Sequence, residues 1–146
     1  MNVKVRAARL GDAPAVARLS KTLGYPAEVR VVRERLRAVL GRDDQRVAVA
    51  VARRGRICGW LQAHASVAVE SGPRVEIVGL VVSRAMRRRG VGRRLVAVAE
   101  TWGREISAET VVVRSNSKRM ESHAFYPALG YLPFKTQVVY RKRMDA

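Results

Sequence analysis

Residues 75–104 read Val-Glu-Ile-Val-Gly-Leu-Val-Val-Ser-Arg-Ala-Met-Arg-Arg-Arg-Gly-Val-Gly-Arg-Arg-Leu-Val-Ala-Val-Ala-Glu-Thr-Trp-Gly-Arg. The apolar run Val75–Val82 has the length and β-branched content of a strand with no wet face, as at the centre of a sheet. Val91, Leu95, Val98, Ala99, Trp102 and Ile106 then recur at helical spacing. Between strand and helix lies a turn rich in arginine and glycine. The first N–H groups of a helix lack intrahelical acceptors and sit at the positive end of its dipole, so such a turn suits a phosphate. Arg87, Arg88, Arg89, Arg93 and Arg94 add positive charge there, and Gly90 and Gly92 carry no side chain to hold a pyrophosphate off the backbone. A diphosphate cradle is expected.

Outward from this stretch, Val3–Ala8 alternates like a first strand, and Gly11-Asp12 supplies a turn and an N-cap. Val16, Leu19 and Leu23 mark one helix, broken at Gly24-Tyr25-Pro26; Val29, Val32, Leu36 and Leu40 mark a second, ending at Gly41. Arg46–Ala52 and Ile57–Val69 read as strands about the turn Arg53-Arg54-Gly55-Arg56, and Ser71-Gly72-Pro73 turns the chain again. Beyond the central helix, Thr110–Arg114 reads as a strand, Met120–Leu129 as a helix stopped by Gly130, and Gln137–Arg141 as a last strand. The order is β-α-α-β-β-β-α-β-α-β, one α/β domain over residues 1–146 built on a mixed sheet.

Composition narrows the function. The chain has 146 residues, enough for a core without staples, and no apolar stretch approaches the roughly 20 residues of a membrane span. The alternating N-terminus is unlike a signal peptide, and Cys58 is the single cysteine, so a cytoplasmic protein is expected. The 29 basic residues against 12 acidic give a net charge of +17, a field that attracts polyanions and repels polycationic substrates unless local carboxylates such as Glu70 and Glu76 reverse it. Aromatic residues are 5% of the chain and the arginines are spread along it, which argues against a nucleic-acid-binding module with stacking platforms. Two isolated histidines and one cysteine offer no metal cluster.

Arg87-x-x-Gly90-x-Gly92 has Leu95 where a dinucleotide fingerprint needs a third glycine, and it lacks the Gly-Lys-Ser/Thr of a P-loop. Placed after a central strand, this motif resembles the GNAT superfamily of N-acetyltransferases, as does Phe125-Tyr126 followed by Gly130-Tyr131. The resemblance covers nearly the whole chain. It implies a GNAT-like fold: a central mixed, mostly antiparallel twisted sheet, splayed between its fourth and fifth strands and flanked by about four helices. It also implies acetyl-CoA as cosubstrate, with no metal, and transfer of the acetyl group to a primary amine. The pyrophosphate would lie on Arg87, Arg88, Arg89, Gly90, Val91, Gly92 and Arg93, and the pantetheine arm along the backbone of Leu80, Val81 and Val82. Gly79 marks either the bulge that opens the splay or a close packing contact.

By the same resemblance Tyr126 donates a proton to the departing thiolate, the alternative being a ring packed in the core. Glu76, the one acid in its apolar strand, is the candidate base; the alternative is a carboxylate ion-paired with Arg74 or His64. Asn116 and His123 are secondary candidates for contact with the cofactor, and His64 a weaker one. Small metabolites, aminoglycoside-like drugs, protein N-termini and lysine side chains all fit as acceptors, and a homodimer is compatible. A GNAT-like protein that binds acyl-CoA as a regulator without turnover is the nearest rival.

Overall fold

The structure is a computed structural model that describes residues 2–114 and 120–145, with the backbone alone for 120–123. The chain divides into two compact units, Met1–Arg114 and Ser115–Ala146. The first holds β1 (Lys4–Ala7), α1 (Ala13–Thr22), α2 (Val29–Leu40), β2 (Gln45–Val51), β3 (Ile57–Ala68), β4 (Gly72–Val82), α3 (Val91–Glu105) and β5 (Thr110–Val113). The second holds α4 (Met120–Ala128). Strand order is β1-β2-β3-β4-β5; the first four pair antiparallel, and β5 runs parallel to β4. The parallel pair is what the α3 crossover between those strands allows.

Periodicity explains the layers. In α3, Val91, Leu95, Val96, Ala99 and Trp102 are buried, while Ile106 lies beyond the helix and is exposed. This helix seats on the Gly59 side of β3, where a Cβ on Gly59 would stand 3.1 Å from Leu95 and 3.0 Å from the Val81 carbonyl. On the opposite face Leu19 packs with Val49, Ile57 and Val81, and α1 meets α2 through Val16, Ala17, Val32 and Leu36, with Trp60 touching both groups. The outer ends of the α2 stripe, Val29 and Leu40, are exposed. Asp12 precedes α1, but its carboxylate does not cap it. It accepts two bonds from the Arg6 guanidinium, at 2.8 and 2.9 Å, and one from the Arg9 N–H.

Two expectations are corrected. Residues 131–143 carry no regular structure, so the strand expected at Gln137–Arg141 is not formed, and Val138, Val139 and Tyr140 are exposed. β-propensity needs a neighbouring edge to become a strand, and no described residue pairs with this segment. The second concerns β4, which is not dry throughout: Val78 is exposed. Gln62 pairs with Gly79 but Ala63 pairs with Ile77, so Val78 is the extra residue of a β-bulge. Gly79, next to it, is also a packing glycine: a Cβ there would stand 2.6 Å from the Trp60 ring. Both readings of Gly79 hold, with an indole rather than a helix as the packing partner.

Candidate active site

β4 ends in the arginine turn. A 3-10 turn at Arg84–Met86 leads into Arg88, which is left-handed at φ 62°, and then Gly90, left-handed at φ 79° and the N-cap of α3. Nothing lies within 4 Å of a Cβ built on Gly90, so its backbone angle, not crowding, calls for glycine. The first helical bond runs from the Arg94 N–H to the Gly90 carbonyl, which leaves the N–H groups of Val91, Gly92 and Arg93 ahead of the intrahelical ladder. Arg87, Arg88, Arg89 and Arg93 are exposed around them. Arg94 is spent elsewhere: its guanidinium bonds the Val3 carbonyl at the start of β1, so it does not join the cluster as expected.

The splay follows from register. β5 pairs with β4 only from Arg74↔Thr110 to Ile77↔Val113, and Val78–Val82 have no strand neighbour on that edge among the described residues. Val81 turns its side chain into the core with Leu19, and the Arg87 Nε bonds the Val82 carbonyl at 3.4 Å. A linear, amide-bearing ligand would meet this edge through backbone groups, but the Val82 carbonyl is already partly engaged.

The bulge also sets Glu76. With unbroken alternation from Val81, residues 79, 77 and 75 would share its face; skipping Val78 puts Glu76 directly opposite His64, on the face of Trp60 and Gln62. Ile77 and Val75 go to the α3 side instead. Glu76 is buried, and among the described residues two guanidinium groups and an imidazole surround it. Arg114 Nη1 lies 2.5 Å from Oε2, and Arg74 Nη2 and His64 Nε2 lie 3.7 and 3.8 Å from Oε1. The Arg74 Nε is buried and without a hydrogen-bond partner. Beyond His64, Asp44 is held by both arms of Arg42, at 2.8 and 2.9 Å. Arg114 was not singled out from sequence. The signal was present: it follows β5 by one residue, and parallel pairing brings it to the face of Glu76, one strand over.

Tyr126 lies in α4, half-buried, edge-on to Phe125 at 4.9 Å and to Tyr131 at 6.0 Å between ring centroids. Gly130, at φ 92°, ends that helix. The backbone of His123 is helical; its side chain and all of Asn116 lie outside the described residues. A separate cavity of about 400 Å³, lined by Asn2, Val3, Ala52, Arg53, Met86 and Arg89, touches the arginine turn but contains neither Glu76 nor His64. Among the described residues no helix is long and apolar enough to cross a membrane, and no group of three acidic, histidine or cysteine side chains could hold a metal.

The fold recurs in known proteins. An aminoglycoside N-acetyltransferase, AAC(6')-Iy, solved in complex with CoA, superposes with a TM-score of 0.86 at 22% identity, over 97% of this chain and 95% of that one. The aminoalkylphosphonate N-acetyltransferase of Salmonella typhimurium is 34% identical over 80 residues, covering 54% of this chain and 52% of that protein. The aminoglycoside N(6')-acetyltransferase type 1 of the same organism is 28% identical over 74 residues, 51% of each chain. The matched stretch thus spans about half the length of these curated relatives. The pattern that defines the acetyltransferase (GNAT) family matches residues 16–131, including β4, the arginine turn and the Tyr126 helix. This chain belongs to the acetyltransferase (GNAT) family.

Proposed function

We propose that the protein transfers an acetyl group from acetyl-CoA directly to a primary amine. The observation that carries this reading is one continuous feature: a strand whose edge loses its neighbour after Ile77 and which ends, a few residues on, at the N-terminus of α3. A coenzyme A diphosphate fits the N–H groups of Val91–Arg93 and the charges of Arg87, Arg88 and Arg89. The pantetheine arm fits beside Leu80, Val81 and Val82. Asn116 and His123 are assigned to the same cofactor. Relatives named for aminoalkylphosphonates and aminoglycosides have amine acceptors in common, which supports an amine here.

In the reaction the free amine attacks the thioester carbon, the C–S bond breaks, and no acyl-enzyme forms. A backbone N–H near Val81 or Val82 polarises the carbonyl as negative charge develops on its oxygen. Glu76 takes the proton lost by the attacking nitrogen, and the Tyr126 phenol returns one to the thiolate. The test is thiol release from acetyl-CoA over a panel of amines. Tyr126→Phe should cut turnover by about 100-fold with coenzyme A affinity little changed. Unchanged turnover removes Tyr126 from the mechanism, and absence of acetyl-CoA binding by calorimetry removes the whole reading.

A further inference from the structure

Among the described residues the charges around Glu76 do not balance. Arg74 and Arg114 face one carboxylate, His64 stands beside it, and Asp44 is already matched by Arg42. Glu109 holds its carboxylate against Gly72. Among the described residues the cluster therefore holds at least one cation more than it has anions, on a chain whose net charge is +17. Its donors are also in excess. The Arg74 Nε is buried with no partner, and such a donor costs stability unless something accepts from it. Arg114 is half exposed and touches Glu76 through one nitrogen, so its fork has the geometry to take a two-oxygen anion.

We propose that the acceptor is a small amine bearing an acidic oxyanion, a phosphonate or a carboxylate, received by Arg74 and Arg114. This names the acceptor class for the reading above and rests on it. Binding is an exchange of ion pairs. The acceptor's anion draws Arg114 from Glu76 Oε2, and the uncovered oxygen meets the acceptor's nitrogen. A neutral amine leaves Arg114 in place and Glu76 covered. A polyamino sugar adds cations to a cationic floor and is disfavoured by like-charge repulsion.

The experiment compares 2-aminoethylphosphonate, β-alanine, ethanolamine and kanamycin as acceptors with acetyl-CoA. It also measures binding of 2-aminoethylphosphonate and β-alanine by calorimetry without acetyl-CoA. At least one acid-bearing amine is expected to exceed ethanolamine by about tenfold in kcat/KM, the worth of one charge-assisted hydrogen bond. Which of the two leads separates phosphonate from carboxylate. Arg114→Gln, which replaces a half-exposed side chain, should lose about tenfold more on the acid-bearing amine than on ethanolamine, with partial rescue in Arg114→Lys. Equal or better use of ethanolamine or kanamycin overturns the proposal, as does an equal loss on both amines in Arg114→Gln. Calorimetry keeps the two readings apart. Acid-amine binding that Arg114→Gln weakens supports the acceptor class even if no acetyl group moves, whereas acetyl-CoA turnover without such selectivity sinks the acceptor class alone.

Discussion

The arginine turn and the Glu76 cluster both gather positive charge, and they do so by opposite means. The turn is local: its donors and cations lie between Arg87 and Arg93, and a left-handed glycine aims them. The cluster is distant in sequence, joining His64 on β3, Arg74 and Glu76 on β4, and Arg114 just past β5. The turn is exposed and its field is open to solvent and salt; the carboxylate at the centre of the cluster is buried. A local, exposed cluster of donors is open to whatever carries phosphate and cannot select among its bearers. A buried site assembled from three strands discriminates, because each cation is held at a set distance from one anion.

The largest way to break this contrast is to remove the anion. Glu76→Ala leaves Arg74 partly buried and uncompensated, and should cost about 3 kcal/mol of stability in urea unfolding, where Glu76→Gln costs less. A change well under 1 kcal/mol would mean that the cluster is as solvent-like as the turn. Next is the bulge that aims Glu76. Gly79→Ala drives a methyl into the Trp60 ring and should cost about 2 kcal/mol, with a shift in tryptophan emission. An unshifted spectrum would show that the indole yields without disturbing β4.

A simpler buried pair calibrates the cluster. Burial alone would push the Asp12 carboxyl up, but the Arg6 guanidinium and the Arg9 N–H outweigh it and hold the group below the ordinary carboxylate range. Because the native value is the lower one, this stabilisation is complete above the unfolded value of about 4 and disappears as pH falls toward and through the native value. Asp12→Asn should therefore flatten the acid limb of stability against pH while costing about 2 kcal/mol at neutrality. An unchanged acid limb would mean the pair adds nothing. The smallest stability effect belongs to the turn. Gly90→Ala meets no neighbour but must hold a positive φ, at about 1 kcal/mol. Coenzyme A affinity should fall by more than stability does. Salt should weaken coenzyme A binding strongly while leaving the Glu76→Ala penalty nearly unchanged, since exposed charges are screened and buried ones are not.

The turn could be read in the sequence because its parts are neighbours there. An apolar run, a glycine with an arginine three before it, and an amphipathic stretch determine strand, cap and helix by propensity and period alone. The family resemblance rested on the same local features, together with Phe125-Tyr126 and Gly130-Tyr131. Glu76 was legible as an unusual residue but not as a clamped one. Its partner Arg114 lies 38 residues away and becomes a neighbour only through a parallel crossover. The strand expected at Gln137–Arg141 erred for a related reason: β character is local, but a strand exists only where another edge meets it.

Residue order alone thus settled the alternation of elements as far as α4, the arginine-rich turn before α3 and the membership that follows from them, because each depends on contacts within a few residues. The folded sheet settled which face Glu76 looks from. One extra residue at Val78 shifts the pairing by a step, and in a period of two a single step exchanges core for site. Composition announced a surplus of positive charge, but only the meeting of three strands decided where one carboxylate would hold part of it.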